Sequence, residues 1–190
     1  MKYYKLGFDN TQRDKCIFCT KLSDERMYDY HDFDHGKIIE YKGELFYYYD
    51  FDKGSVQTDY ILNVNAWFII TENTYHVLRD KLNDCVQFIP IKICDSNCNT
   101  EEKGYIVNIL DVVENAIDFE KSSFGVLHDE EPKAYAIWKY VLKHSAIQGH
   151  DLFRLKEHMV VMFCSDNIKK LIDDNGLTGF SFKEIELSDL

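Results

Sequence analysis

The chain has 190 residues, which is enough for one domain, or for two closely packed lobes, with a buried core. Hydrophobic residues make up 45% of it and charged residues 29%, and these values exclude a wholly disordered chain. The 22 basic and 33 acidic residues give a net charge of -11, so the protein should repel nucleic acid and attract basic partners.

The sequence predicts a soluble protein of the cytoplasm. The first ten residues carry charges where a signal peptide needs an apolar stretch. The longest apolar runs, at 66–70 and 159–164, are far shorter than the roughly 20 residues that cross a bilayer. Because no export signal is visible, the six cysteines are expected to be reduced thiols.

Residues 24–59 are rich in Asp and Tyr and show no helical period. We therefore predict a strand-rich acidic and aromatic lobe over 1–59 and an α+β domain over 60–190, packed together as one compact unit. Aspartates that alternate with aromatic residues can steer a partner by charge and anchor it by tyrosine. The predicted interface residues are Tyr28, Asp29, Asp32, Asp34, Tyr47, Tyr49, Asp50 and Asp52. The alternative is a solvated loop whose tyrosines pack into the core.

Regular structure becomes clear after residue 60. The apolar run at 66–70 predicts a buried strand, and the hydroxyl of Thr71 can then cap a helix. An apolar stripe that includes Leu78 predicts this helix over 72–82. An alternating run at 86–93 predicts the next strand, with Pro90 at an edge or a bulge. Residues 66–93 should therefore form a strand–helix–strand unit.

The C-terminal segment 152–187 repeats this pattern. Two strands lead to Ser165, which we expect to cap a helix over about 166–174 with Leu171 buried. A final strand closes the unit. Residues 111–118 fit a short helix or a turn, and 134–142 fit either a helix or a strand. The predicted class is α+β, with mixed or antiparallel sheets and a few short helices.

Four cysteines are the sharpest candidate for a metal site. Cys16 with Cys19, and Cys94 with Cys98, have spacings that suit a structural zinc. The pairs lie 75 residues apart and lack the glycines usual in zinc knuckles, so ordinary buried thiols are the favoured interpretation. We predict no metal and no cofactor, and keep a small zinc-binding regulatory or adaptor protein as the alternative function.

No set of residues predicts catalysis. Cys164 ends a strand just before a helix, where a thiolate could be stabilised, but its surroundings are apolar. Ser165 is explained as the helix cap, and no nucleophile elbow or phosphate-binding loop is present. The sequence therefore predicts a protein that is not an enzyme.

Several short motifs resemble a bacterial family of polymorphic-toxin immunity proteins. The C-terminal ones are DLFRLK at 151–156, VVMFCS at 160–165 and GLTGFSF at 176–182. Upstream, WFIIT at 67–71, VQFIPI at 86–91 and YIVNIL at 105–110 follow the same order. The resemblance covers roughly residues 60–187 and leaves 1–59 outside.

The resemblance implies an α+β protein, encoded beside a toxin, that binds the toxin domain and neutralises it without catalysis. It implies a core role for Phe153, a carboxylate partner for Arg154, a helix cap at Ser165, and a turn into the last strand at Thr178 and Gly179. It also favours strand structure at 138–143. The net charge indicates a basic toxin, for example a nuclease, and neither nucleic acid nor a membrane as a direct partner.

Overall fold

A computed structural model describes residues 1–29, 31–97, 100–128 and 134–189, in which strands predominate and helices are short. The first eight strands are β1 (Tyr3–Phe8), β2 (Phe18–Leu22), β3 (Phe46–Tyr49), β4 (Tyr60–Asn63), β5 (Ile69–Thr71), β6 (Val86–Asp95), β7 (Glu101–Ile109) and β8 (Val112–Val113). They are followed by β9 (Ser123–His128), β10 (Ala134–Lys139), β11 (Val141–Lys143), β12 (Leu152–Leu155), β13 (His158–Ser165), β14 (Phe180–Glu184) and β15 (Glu186–Ser188). The α-helices are α1 (Glu72–Leu82), α2 (His144–Ile147) and α3 (Asp166–Asp174). The predicted α+β class is confirmed. None of the helices described is long and apolar enough to cross a membrane.

Strands β2 to β7 close into a small barrel, in the order β2, β3, β6, β7, β5, β4. An antiparallel pair of β6 and β7 forms one side, and a parallel pair of β2 and β4 closes the ring. Inward side chains such as Tyr47, Ile69 and Ile106 fill the interior, as expected for a barrel of few strands. Pro90 precedes the segment 92–95 of β6 that pairs with β3, so its missing N–H costs no hydrogen bond to that strand.

The second sheet is open, with the order β14, β1, β13, β12, β8. Strand β1 lies inside it, antiparallel to β13 on one side and to β14 on the other. The N-terminal strands β2 and β3 are paired with β4 and β6 in the barrel. Backbone hydrogen bonding therefore crosses residue 59 in both sheets, and the division of the chain at this residue stays a prediction from composition.

One apolar layer lies between the barrel and the open sheet. Ile70 and Val107 enter it from the barrel, and Leu6 enters it from the sheet. Helices α1 and α3 complete it with Leu78 and Ile168. Each helix covers this layer with one face only, and this explains why both helices are amphipathic.

Both predicted strand–helix–strand units are confirmed: β5, α1 and β6 form the first, and β13, α3 and β14 form the second. Thr71 is the N-cap of α1, and its hydroxyl accepts a hydrogen bond from the N–H of Thr74 at 3.4 Å. Ser165 is the N-cap residue of α3, but its hydroxyl donates to the carboxylate of Asp151. Ser165 therefore occupies the predicted N-cap position, but its side chain makes no capping hydrogen bond to the helix.

The predicted burial of the two helix leucines is correct only for α1. Leu78 is buried, whereas Leu171 is half-buried at the margin of the apolar layer. In α3 the inward face is taken by Ile168 and Ile172, which are four residues apart and lie on one stripe. Leu171 lies beside that stripe and keeps part of its surface in solvent.

The remaining elements cover the other face of the open sheet. Within 138–143, every residue except Tyr140 lies in β10 or β11, so the strand interpretation is confirmed. Strands β9 and β10 form an antiparallel two-stranded ribbon, and β11 pairs in parallel with β15. Residues 111–118, which fitted a helix or a turn, contain β8 and a turn with Asn115 at φ 56°. Phe153 is buried beneath these elements, as the resemblance implied.

The shared apolar layer predicts unequal costs for two matched substitutions. Leu78→Ala should lower the free energy of unfolding by about 2–4 kcal/mol, because a fully buried leucine leaves a cavity. Leu171→Ala should cost clearly less, since this side chain is half-buried. Urea denaturation of both variants measures the difference, and both changes favour helix formation equally. Equal costs would contradict the packing described for α3.

Candidate functional site

The tyrosines predicted to anchor a partner are buried. Tyr28, Tyr47 and Tyr49 belong to the cluster that fills the barrel. The ring of Tyr28 lies 5.4 Å from that of Phe33, whose ring lies 4.8 Å from that of Trp67. Burial also raises the pKa of Tyr47. The inward-packed alternative is therefore correct for these tyrosines, which stabilise the barrel and present no anchoring surface.

The predicted carboxylates fall into two groups. These are Asp29, Asp32 and Asp34 in one group, and Asp50 and Asp52 in the other. Just after the first group, the N–H of Ile39 donates to the side chain of Gln87, near the start of β6. Just before the second, Tyr49 pairs with Asp95 at the end of β6. Eight residues of strand separate these positions, or roughly 25 Å. The aspartates therefore do not form one continuous patch, and their role in binding stays a prediction.

One member of the first group, Asp34, has a structural partner. The guanidinium of Arg154 is 4% exposed and lies 3.1 Å from the carboxylate of Asp34. Arg154 also donates to the backbone carbonyl of Met159, while its Nε has no partner among the residues described. Burial lowers the pKa of Arg154, and Asp34 opposes that effect. The carboxylate partner expected for Arg154 is thus confirmed, and Asp34 holds the loop to the open sheet.

The turn at Thr178 and Gly179 is held by Asp59, a residue that the sequence analysis did not single out. The N–H and the hydroxyl of Thr178 both donate to one carboxylate oxygen of Asp59, at 2.9 and 3.0 Å. The other oxygen accepts from the hydroxyl of Thr71 at 2.9 Å. Burial acts to raise the pKa of Asp59, but these hydrogen bonds hold it below its ordinary value. Gly179 has φ 84° and lies against Thr58, so a side chain here would be strained.

The cysteine pairs form no metal site in the part of the chain that is described. Cys16, Cys19 and Cys94 are buried, and Cys98 lies outside the described residues. The thiol of Cys16 donates to the carbonyl of Gln12, and burial raises the pKa of Cys19 to about 12. Across the described ranges, no group of three or more His, Cys, Asp or Glu residues could hold a metal ion. The zinc-binding alternative therefore has no support from these residues.

The thiol of Cys164 is a core group. It is buried in the apolar layer, and burial raises its pKa to about 12. A thiol with this pKa is protonated at neutral pH and is a poor nucleophile. Cys164 therefore packs as a small apolar side chain, as its position in the sequence predicted.

A surface that the sequence did not single out lies at the ribbon of β9 and β10. Three of its apolar side chains, Val126, Leu127 and Trp138, are exposed. The signal was present in the sequence as a tryptophan within a strand-like run. This tryptophan could not be assigned to a covered or an exposed face from the sequence, because the pairing of β10 with β9 decides which side chains are covered.

His158, the first residue of β13, lies in a partly buried site. Its Nδ1 is 2.5 Å from the hydroxyl of Tyr140, whose ring lies 5.8 Å below the ammonium group of Lys5. Burial lowers the pKa of His158 from its ordinary value of 6.5, and the charge of Lys5 lowers it further. His158 is therefore neutral at neutral pH.

Removal of the carboxylate from Asp34 should destabilise the protein. Asp34→Asn leaves the buried charge of Arg154 uncompensated, and we expect a loss of about 1–3 kcal/mol in the free energy of unfolding. The carboxylate of Asp34 is partly exposed, which keeps this below the cost for a fully buried pair. Asp29→Asn, at an exposed site, is the matched control. Equal urea midpoints for the two variants would contradict a stabilising pair.

The low pKa of His158 predicts a loss of stability in mild acid. Below pH 6.5 the unfolded chain binds a proton at this histidine more readily than the folded chain, so the free energy of unfolding falls as pH decreases. His158→Gln should reduce this decrease between pH 7.5 and 5.5. Lys5→Met should raise the pKa of His158, which NMR titration of the imidazole measures. An unchanged pKa would exclude Lys5 as a cause.

The chain matches one immunity protein family over nearly its whole length. The Imm11 family model matches residues 3–187. No curated protein sequence matches the chain. The family match begins at residue 3, so it includes most of the segment 1–59 that the resemblance in the sequence had left out. The chain therefore belongs to the Imm11 immunity protein family.

Proposed function

We propose that this protein is the immunity protein of a polymorphic toxin system and neutralises one cognate toxin by binding its toxin domain. The family match over residues 3–187 carries this proposal. In it, the protein acts in the cytoplasm as a stoichiometric inhibitor, without a cofactor and without catalysis of its own. The toxin reaches the cell by contact-dependent delivery or by secretion.

The charge of the chain supports a basic toxin domain as the partner. A net charge of -11 produces a long-range field that attracts cationic proteins. Enzymes that act on nucleic acid carry basic clefts that bind phosphates. A nuclease domain is therefore the proposed partner class, and the same field keeps nucleic acid itself away from the inhibitor.

Direct binding to the toxin domain encoded beside this chain tests the proposal. Co-expression with that domain should restore growth of cells that the domain alone kills. The purified proteins should form a complex of fixed stoichiometry in size-exclusion chromatography, with loss of the toxin's activity in the complex. A toxin that stays fully active with excess inhibitor would overturn the proposal.

The acidic field predicts a dependence of association on charge and salt. Replacement of Asp29, Asp32, Asp50 and Asp52 by Asn should slow association at low salt and weaken its dependence on ionic strength. Asp34 is left unchanged because it stabilises Arg154. Stopped-flow mixing with the toxin domain measures the rate.

A control variant separates local steering from net charge. Asp80→Asn, Asp84→Asn, Asp174→Asn and Glu120→Gln remove four exposed carboxylates elsewhere and give the same net charge. If the interface aspartates steer the toxin, their loss slows association more than the control does. Equal rates for the two variants would assign the effect to net charge, and wild-type rates for both would exclude steering.

A further inference from the structure

Among the residues that the structure describes, one face of the ribbon of β9 and β10 is covered and the other is not. On the covered face, Phe124 and Tyr135 pack on Phe119, with ring centroids 5.0 and 4.9 Å away. On the other face, Gly125 pairs with Ala136. Side chains alternate between the faces of a strand, so the neighbours of the aromatic cluster point away from the protein. This uncovered face is apolar.

The indole of Trp138 lies over Gly125 on the uncovered face. A Cβ on Gly125 would lie 2.9 Å from Cη2 of the indole, which is closer than side-chain atoms approach. Glycine therefore lets the ring rest against the ribbon while 69% of Trp138 stays exposed. Leu127, which is 72% exposed, adds apolar area to the ribbon. A tryptophan that is already held loses little freedom on binding and is typical of interface hot spots.

A groove of about 240 Å³ lies beside Trp138, and its lining includes Tyr140 and Ile185. Lys5 on β1 and Lys183 on β14 also line it, and these two lysines are direct cross-strand neighbours. Like charges in this arrangement repel each other. The groove therefore combines an apolar wall with two adjacent lysines, and Lys139, Glu184 and Glu186 complete its lining.

The groove also contains two carboxylates, and one of them, Glu184, is paired with Lys2 at 2.9 Å. Within the described ranges, neither Lys5 nor Lys183 forms an ion pair, whereas Lys139 at the same groove is paired with Glu186 at 2.6 Å. Lys5 also lies over the ring of Tyr140, which is a contact with an aromatic face and not with a carboxylate. A carboxylate placed between the two ammonium groups would relieve their repulsion.

We use the name Trp138 groove for this groove together with the ribbon face beside it. We infer that the Trp138 groove docks a segment of the toxin domain that carries an apolar side chain next to a carboxylate. The apolar side chain packs on Trp138 and Leu127, and the carboxylate binds between Lys5 and Lys183. The inference rests on the proposed function and names the surface that performs it. It is compatible with a basic toxin, because net charge governs the encounter whereas local contacts govern dissociation.

Dissociation from the toxin domain tests the groove. Trp138→Ala should increase the dissociation rate by about tenfold or more, as expected for a central tryptophan anchor. Lys183→Glu should also accelerate dissociation, and Lys183→Met should have a smaller effect, because it removes the charge without reversing it. Biolayer interferometry with the immobilised toxin domain measures these rates.

Two matched substitutions serve as controls. Val160→Ala removes part of an apolar side chain that is 58% exposed on β13, away from the proposed steering aspartates. Lys21→Glu reverses an exposed charge on β2 and gives the same net charge as Lys183→Glu. Both should dissociate as the wild type does. Melting temperatures near that of the wild type show that the groove variants are folded. Leu127→Ser is a second variant that removes apolar surface from the ribbon, and it should also accelerate dissociation.

The outcomes separate the groove from the function. A wild-type protein that does not bind the toxin domain overturns the proposed function and the docking inference with it. A wild-type protein that binds, with groove variants that dissociate at the wild-type rate, overturns the groove alone. A wild-type dimer that Trp138→Ala converts to a monomer would assign the surface to a second copy of the chain, and so would also overturn toxin docking there.

Discussion

Burial of one apolar layer between a closed barrel and an open sheet is the constraint on which the rest of the structure depends. The barrel interior is filled by its own side chains, so its outer face can be covered only by another element. The open sheet provides this cover through β1, which presents Leu6 to the layer and Tyr3 to the opposite face. Because β1 pairs with β13 and β14, the N-terminal strand must be in place before this layer is complete.

Polar contacts at the margin of this layer join the two halves. Asp59 connects the N-cap residue of α1 to the turn that precedes β14. The pair of Asp34 and Arg154 connects the loop before β3 to β12. Such contacts add less stability than the apolar layer does, since each must offset the desolvation of a charge. Their geometry is directional, however, so they fix how the barrel is oriented on the sheet.

The elements that depend on local sequence could be predicted, and those that depend on distant partners could not. Helix α1 follows from the spacing of its leucines and from Thr71, all within twelve residues. The burial of Tyr47 depends on closure of the barrel, in which β3 pairs with the distant β6. The free face at Trp138 depends on the register with which β10 pairs with β9, and residue types alone do not give that register. Residues 1–59 differ from the remainder in composition, but composition records only residue types and does not show which strands pair. The carboxylate partner of Arg154 came from the family resemblance, and its identity as Asp34 needed the fold.

The distribution of charge suggests two separate contributions to inhibition. The acidic groups lie on loops at both ends of the barrel, so they act as a diffuse field and not as one complementary patch. Such a field accelerates the encounter with a basic protein but holds it weakly once salt screens the charges. Tight inhibition needs buried contacts, and three tyrosines of the aspartate-rich segments, Tyr28, Tyr47 and Tyr49, lie inside the barrel, where they are unavailable to a partner. The exposed tryptophan on the ribbon has the area and the restricted motion that a long-lived contact requires, which is why docking is assigned there and steering to the aspartates.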